Sequence, residues 1–183
     1  FSSRRRHTRY ISVTGVQTCA LPISTTTLGS ATATITFSSI SSAYTDLRIV
    51  MVCTSASNTQ DVYLRFNSDT GTNYSQTALS GDGATASSSR YTSGSRIIVN
   101  KLAYTSSTYP HLYTMDIFSY AGSTYKTVLT TALGDNNGGA NAGTDATVCL
   151  WRSTSAINSV EFKLSAGNYN TGTTVTLWGI KAA

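Results

Sequence analysis

The fold of this chain is constrained most by a succession of short β-type runs separated by segments rich in turn-forming residues. From Ser24 onward, nine runs of five to ten residues alternate with segments in which Gly, Asn, Asp and Ser dominate. Gly and Asn tolerate the positive φ angles that tight β connections often need. No long stretch shows the helical period of about 3.6 residues. The pattern predicts an all-β domain, an antiparallel β-sandwich of eight to nine strands.

The predicted strands cover residues 33–37, 46–54, 61–66, 96–104, 111–120, 125–133, 147–153, 159–165 and 174–180. The run at 46–54 is nearly all apolar, which is typical of a central strand covered on both faces. In the run at 159–165, alternation places Val160, Phe162 and Leu164 toward the core.

The positive charge of the chain is concentrated in its first residues. The formal net charge is +5 and the sequence pI is about 9.2, yet four arginines lie before residue 10. From Ser24 onward, nine Lys and Arg face eight Asp and Glu. A nearly neutral body lacks the excess of positive charge that is typical of a nucleic-acid-binding protein. No run is long and apolar enough for a transmembrane helix. We therefore expect no nucleic acid and no membrane among the partners.

Residues 2–23 allow three interpretations. The arginines fit the basic region of a secretory signal, but the stretch that follows, VTGVQTCALPI, is broken by polar residues and a proline. A basic arm that binds nucleic acid is the second interpretation. In the third, residues 13–23 resemble the in-frame translation of a sequencing-library adapter, and residues 3–9 resemble the indexed primer of the same library. On that resemblance, residues 1–23 are expected to be an adapter-derived artefact outside the fold, and residues 24–183 a single β-sandwich domain.

Catalytic chemistry finds little support in the body of the chain. His111 is the single histidine there, and neither a nucleophile nor an orienting acid stands near it in sequence. Cys53 and Cys149 lie in apolar runs, which favours buried free thiols over a disulfide between them. Asp116 and Glu161 are the two acids well inside predicted strands, but nothing further supports a glycosidase pair. The sequence predicts a protein that is not an enzyme, with no catalytic residues, no metal and no cofactor.

Polar residues of the connections are the candidates for ligand binding. They are Asp69, Asn73, Tyr74, Asp135, Asn137 and Tyr169. Asp69 and Asn73 lie in one connection, and Asp135, Asn137, Asn141 and Asp145 lie in another. Their side-chain oxygens would suit Ca²⁺, but turn chemistry explains these residues better.

A sugar site is the best chemical alternative, because aromatic rings stack on pyranose rings. The tyrosines near strand edges and loops are Tyr63, Tyr74, Tyr91, Tyr104, Tyr109, Tyr125 and Tyr169. The longest connections, 80–89 and 134–145, are expected to be lids, binding loops or loosely held surface.

The chain from about Thr32 onward resembles a group of tailed-bacteriophage virion proteins, known mostly from environmental sequence and usually labelled structural or tail-fibre-like. The resemblance lies in ITFSSISSAYTDLRIVM (35–51), LRFNSDTGTNYSQTALSGDG (64–83), FSYAGSTYKT (118–127) and WRSTSAINSVEFKLSAGNYNTGTTVTLWGIKAA (151–183). It implies a jelly-roll-like sandwich and brings no catalytic motif. The implied function is a non-enzymatic virion structural protein, with a tail-fibre or receptor-binding domain favoured over a capsid decoration protein. A carbohydrate-binding module or lectin is the alternative.

The resemblance also implies partners and a location. The expected partners are other virion proteins, a glycan of the host surface and further copies of this chain. A trimer is favoured, since symmetry multiplies weak receptor contacts. The expected location is the bacteriophage particle. A fibre domain should leave an apolar patch bare on one sheet face of the monomer, whereas a lectin should show a shallow, tyrosine-lined groove.

Overall fold

Twelve antiparallel strands form the regular structure of residues 20–137 and 141–181, the part of the chain described by this computed structural model. They are β1 (Ala20–Thr27), β2 (Thr34–Phe37), β3 (Asp46–Cys53), β4 (Val62–Phe66), β5 (Tyr74–Gly81), β6 (Ala86–Gly94), β7 (Ile97–Ile98), β8 (His111–Ile117), β9 (Lys126–Gly134), β10 (Gly143–Trp151), β11 (Val160–Leu164) and β12 (Thr174–Ile180). The predicted all-β antiparallel sandwich is confirmed, with twelve strands in place of eight to nine. Within the described ranges, no helix is long and apolar enough to cross a membrane.

The strand order is that of a jelly roll with two added hairpins. The larger sheet runs β1-β12-β3-β8-β9-β10-β5-β6, and the smaller sheet runs β2-β11-β4-β7. Without the β5–β6 and β9–β10 hairpins, the larger sheet reduces to β1-β12-β3-β8, and the chain crosses between two four-stranded sheets at almost every connection. That arrangement is the double Greek key of a jelly roll, as the sequence resemblance implies. Both hairpins extend the same sheet, so one layer has twice as many strands as the other.

Three strands have no counterpart among the predicted runs, namely β1, β5 and β6. Every residue of β6 except Gly94 is exposed, so this strand forms without the alternating apolar residues that would mark it in sequence. Residues 80–89, expected as a long connection, instead hold the end of β5, a short turn and the start of β6. A strand held at a sheet edge by backbone hydrogen bonds leaves little compositional signal.

The first strand begins before the expected domain boundary at Ser24. Residues 20–22 pair with β12, Pro22 lies opposite Trp178, and the register shifts between Pro22 and Ser24. This pairing differs from the expectation that all of residues 1–23 stay outside the fold. Backbone groups along a free sheet edge can pair with almost any sequence, which explains how these residues extend the strand. The remaining residues, 1–19, lie outside the described ranges.

Strand β3 is central in its sheet, as predicted, but it is covered on one face only. Its partners are β12 and β8. Leu47, Ile49 and Met51 point into the core, whereas Arg48 and Val52 on the other face are exposed. No layer packs on the outer side of the larger sheet among the described residues, which is why the apolar run does not signify burial on both sides.

The hydrophobic core lies between the two sheets and follows the predicted alternation. Val160, Phe162 and Leu164 of β11 are buried as expected. An aromatic cluster fills one end of the core, where the ring centroids of Phe66 and Trp151 are 5.4 Å apart. Burial of such side chains supplies the main free energy of folding, at about 1.5–3 kcal/mol for each large apolar residue.

Candidate functional site: a tyrosine-lined cleft

The connection between β4 and β5 uses two predicted ligand-binding residues for its own structure. Asp69 accepts hydrogen bonds from the Gly71 amide at 2.8 Å, the Asn73 side-chain amide at 2.9 Å and the Trp151 indole Nε1 at 2.7 Å. Burial disfavours the ionised carboxylate, but these three bonds outweigh that effect and lower the pKa of Asp69. The oxygens that a ligand or Ca²⁺ would need are therefore already engaged.

Two predicted ligand-binding tyrosines, Tyr74 and Tyr169, are buried in the core. The Tyr74 hydroxyl accepts a hydrogen bond from the Phe66 amide at 3.1 Å. Tyr169 is held by backbone pairing with Thr32 and Ser55. Neither ring reaches the surface, which differs from the expectation, because a tyrosine beside a loop is as well suited to closing the end of a sandwich as to binding a ligand.

Asp135 and Asn137 remain at the surface but stand apart from the first group. The Asp135 carboxylate accepts a hydrogen bond from the Asn137 amide at 2.9 Å, and Asn137 has a φ of 57°, so both residues shape a turn after β9. This turn and the Asp69 connection lie at opposite ends of β10, and a nine-residue strand spans roughly 27 Å. The six predicted residues thus form no common site.

The groups considered for catalysis do not converge. Asp116 lies on the outer face of the larger sheet and Glu161 on the outer face of the smaller one, on opposite sides of the sandwich. Each is paired: Asp116 Oδ1 is 2.6 Å from Arg48 Nε, and Glu161 Oε1 is 3.5 Å from Arg65 Nη1. In the described ranges, no group of three or more His, Cys, Asp or Glu could hold a metal ion.

The other reactive groups are buried. Cys53 and Cys149 are free thiols, as the sequence predicts, and burial raises the pKa of each to about 12. His111 is fully buried at the start of β8, with its ring nitrogens 3.2 Å from the Tyr109 carbonyl oxygen and 3.1 Å from that of Asn141. The described structure keeps all three side chains away from solvent.

A polar concavity of about 240 Å³ lies where the β5–β6 hairpin passes the edge of the smaller sheet. We call it the tyrosine cleft. Its lining includes Asp61, Ser89, Tyr91, Asn100, Lys101 and Tyr104. Tyr91 projects from β6 and Tyr104 from the segment after β7, so two of the tyrosines considered for sugar binding meet at one concave site.

The floor of the tyrosine cleft is fixed by side chains that imitate strand pairing. The Gln76 amide donates to the Ile98 carbonyl oxygen at 2.9 Å and accepts from the Ile98 amide at 2.8 Å, which joins β5 of the larger sheet to β7 of the smaller one. Asn100 accepts from the Val62 amide at 2.7 Å. These bonds leave the floor preorganised rather than mobile.

A buried carboxylate holds the wall of the tyrosine cleft. Asp145 accepts hydrogen bonds from the consecutive amides of Lys101 at 2.7 Å, Leu102 at 2.9 Å and Ala103 at 3.0 Å. Three amides converging on one carboxylate form a backbone nest. Asp145, considered above as a calcium ligand, is therefore used internally, and it positions the segment that carries Lys101 and Tyr104.

The charges at the tyrosine cleft are mixed. Asp61 is half-buried, and burial raises the pKa of its carboxyl group, although the positive charges of Arg96 and Lys101 oppose that shift. The Arg96 guanidinium lies 4.0 Å from the centroid of the Tyr63 ring. The cleft thus offers a carboxylate acceptor, an ammonium donor and aromatic faces within one small volume.

The side chain of Tyr91 packs against Gly94 at the end of β6. A Cβ atom at Gly94 would lie 2.1 Å from Tyr91 Cε1, so the ring rests directly against the Gly94 backbone. Sequence analysis did not single out Asp61, Lys101 or Gly94. In the sequence, Tyr91 and Tyr104 are distinguished only as two of the tyrosines near strand edges and loops, because β6 is too polar to be predicted as a strand.

Comparisons with known proteins add little to this geometry. No protein-family model and no curated protein matches the chain. Among solved structures, the crystal structure of galectin LEC-6 from Caenorhabditis elegans is similar to it at 14% identity and a TM-score of 0.34, over 86% of this chain and 95% of that chain. The sandwich itself is defined by the strand order and register of this chain.

Proposed function

We propose that this chain is a non-enzymatic domain of a bacteriophage particle that recognises a host-surface saccharide through the tyrosine cleft. The preferred role is that of a tail-fibre or receptor-binding domain. The observation that supports it most is the meeting of Tyr91 and Tyr104 beside Asp61 and Lys101 in one concave site.

The chemistry of the tyrosine cleft suits a sugar residue. The apolar faces of a pyranose ring pack on aromatic rings, while its hydroxyl groups exchange hydrogen bonds with carboxylate, amide and ammonium groups. The cleft is small and open, so it would hold one or two sugar units rather than enclose a chain. Weak binding at one such site gains strength when several copies act together, which suits a particle that displays a homo-oligomer.

The virion setting is supported by sequence. The stretches at 35–51, 64–83 and 151–183 resemble tailed-phage virion proteins, and the body of the chain is nearly uncharged and rich in Ser and Thr. Short strands and few charged residues suit a domain that is displayed outside a cell. In that setting the other partners would be neighbouring virion proteins.

The saccharide proposal is tested on a glycan array followed by titration of the best ligand. We expect saturable binding, and we expect Tyr91→Ala and Tyr104→Ala each to weaken it about tenfold, equivalent to ~1.4 kcal/mol. Tyr125→Ala is the matched control, because Tyr125 is an exposed tyrosine outside the cleft. Absence of binding to any glycan, or an equal loss in the control variant, would refute the proposal.

A capsid decoration protein is the second candidate, and the outer face of the larger sheet favours it. That face carries exposed aliphatic side chains such as Leu79 and Leu129, which a particle surface could cover. Immunogold labelling of purified particles separates the candidates: label on the tail supports a fibre domain, and label over the shell supports decoration. Finding the protein secreted and absent from particles would support a lectin or carbohydrate-binding module.

A further inference from the structure

The outer face of the larger sheet exposes aliphatic side chains from four strands. Val52 of β3 is 44% exposed, Leu79 of β5 62%, Leu129 of β9 46% and Val148 of β10 48%. Single exposed apolar residues are ordinary, but a contiguous set on one flat face marks an interaction surface.

Strand register arranges this face into ridges. Val148 lies opposite Leu129, and these two form one ridge across β10 and β9. Leu133 lies opposite Leu112, and Leu112 lies opposite Val52, so a second ridge crosses β9, β8 and β3.

A groove of small residues separates the two ridges and ends at Leu79, which lies opposite Ala146. Ala146 lies opposite Thr131, and Thr131 lies opposite Thr114. Beside Leu79, Leu129 and Val148 the groove widens into a hollow of about 470 Å³. The face therefore carries both the projections and the depression into which such projections fit. A two-fold contact between identical faces needs both features on the same chain.

The charges in the middle of this face form an ion pair. Arg48 donates to Asp116 at 2.6 Å from Nε and at 2.8 Å from Nη2, and the pair continues the ridge of Leu129 onto β8 and β3. Between β3 and β10 a second copy would thus meet no unpaired charge along the ridge, and Arg90 of β6, which lies opposite Thr77, stands beyond its end at the sheet edge. Cores of protein interfaces are depleted of charged residues in the same way.

The size of the face is sufficient for stable association. Six strands about 4.8 Å apart, each with seven residues rising about 3.3 Å, present roughly 650 Å² in projection. Side-chain relief adds to that figure, and a standard interface buries about 800 Å² on each partner.

We propose that the outer face of the larger sheet binds the same face of a second copy of this chain. The two sheets pack face to face, with the aliphatic ridges of one copy in the groove of the other, at the spacing of about 10 Å that is usual for stacked sheets. The contact buries the side chains that the monomer leaves bare and directs the tyrosine clefts, which open on the inner side of β6, away from it.

The test compares the molar mass of the full chain with that of two variants by light scattering and sedimentation velocity from about 1 to 100 μM. We expect the unmodified chain to be a dimer at the higher concentrations, in place of the trimer expected from sequence, because a face that binds itself closes with one partner. Leu129→Glu places a charge on the ridge and should shift the midpoint of association at least about 100-fold, leaving a folded monomer. Lys163→Glu, which places a negative charge on the outer face of the smaller sheet, should leave the mass unchanged. Far-ultraviolet circular dichroism of both variants reports whether they fold.

Two results would overturn the proposal. One is a monomeric mass for the unmodified chain at 100 μM, and the other is an oligomer whose mass is the same in Leu129→Glu. If Leu129→Glu fails to fold, Thr131→Trp provides the alternative, because it fills the groove without adding charge and should also give a monomer. An oligomer that survives this substitution counts against the proposal in the same way.

Discussion

Asp69 and Trp151, 82 positions apart in sequence, are joined by a 2.7 Å hydrogen bond from the indole Nε1 to the carboxylate. The bond ties the connection after β4 to the end of β10, beside the aromatic cluster of Phe66, Tyr74 and Trp151. Asp69, which the sequence predicts to bind a ligand at the surface, thus has a structural role at one end of the hydrophobic core.

Asp69→Ala should therefore destabilise the fold. The substitution removes the acceptor of the Trp151 indole together with the bonds from Gly71 and Asn73, and an unsatisfied buried donor costs about 1–3 kcal/mol. We expect a loss of about 3 kcal/mol in the free energy of unfolding, measured by urea titration with Trp fluorescence. Asp135→Ala is the control, because its carboxylate caps an exposed turn, and it should cost less than about 1 kcal/mol.

Asp145→Asn should disturb both stability and the tyrosine cleft. The asparagine oxygen can replace Oδ2, which accepts from Lys101, Leu102 and Ala103, but it carries no full charge, and the NH₂ group then faces the Leu102 amide in place of Oδ1. Such a buried mismatch costs about 1–3 kcal/mol. Saccharide affinity should fall as well, since Asp145 holds the segment with Lys101 and Tyr104. Asp82→Asn is the comparison, because Asp82 makes similar bonds in an exposed turn. Equal stability of the two variants would contradict this role.

The contrast between Asp69 or Asp145 and the predicted strands shows where sequence reasoning succeeds. Alternation fixes the faces of β4 and β11 because one side of each strand must be buried, so the class of fold follows from the pattern. The role of a polar residue depends on which distant backbone it meets. The backbone amides that bond to Asp145 are more than 40 positions away in sequence, and the residues around Asp145 in sequence do not predict them.

The position of the tyrosine cleft could not be predicted from sequence either. Tyr74 and Tyr91 both flank turn-rich segments, yet one is fully buried and the other lines the cleft. What separates them is the register of β5 with β6, and β6 is too polar to be recognised as a strand. The tyrosine composition suggested a sugar site as a hypothesis, whereas the position of the cleft depended on an edge strand without apolar alternation.

Stability should decrease at alkaline pH through the two buried thiols. Their pKa in the folded state is about 12, against 9.0 for an ordinary thiol, so above pH 9 the unfolded chain loses protons that the folded chain retains. Their contribution is fully present below about pH 9 and falls by ~1.4 kcal/mol per thiol per pH unit above it. Urea titrations between pH 8 and 9.5 should show this slope, and Cys53→Ala with Cys149→Ala should remove most of it. Nearer pH 10 the buried Tyr74, Tyr113 and Tyr169, whose pKa burial also raises, add a slope of the same sign. A slope unchanged in the double variant would exclude the thiols as its cause.

Gly134→Ala should conflict with the buried ring of His111. A Cβ atom at position 134 would lie 1.7 Å from His111 Cδ2 and 1.9 Å from Nε2, so the ring must leave the place where it meets the Tyr109 and Asn141 carbonyl oxygens. Overpacking of this kind costs about 1–3 kcal/mol. Gly29→Ala is the matched control, because a Cβ atom there meets nothing within 4 Å.

A double-mutant cycle isolates the cause of that cost. His111→Ala removes the ring and is itself destabilising, but adding Gly134→Ala to it should cost little further, because the space is then empty. The coupling between the two substitutions should therefore be at least about 1 kcal/mol, measured from the free energies of unfolding of the four proteins. If the two costs simply add, the Gly134 effect arises from the backbone of β9 and not from contact with the imidazole. The absence of a positive φ at Gly134 among the backbone angles argues for the contact.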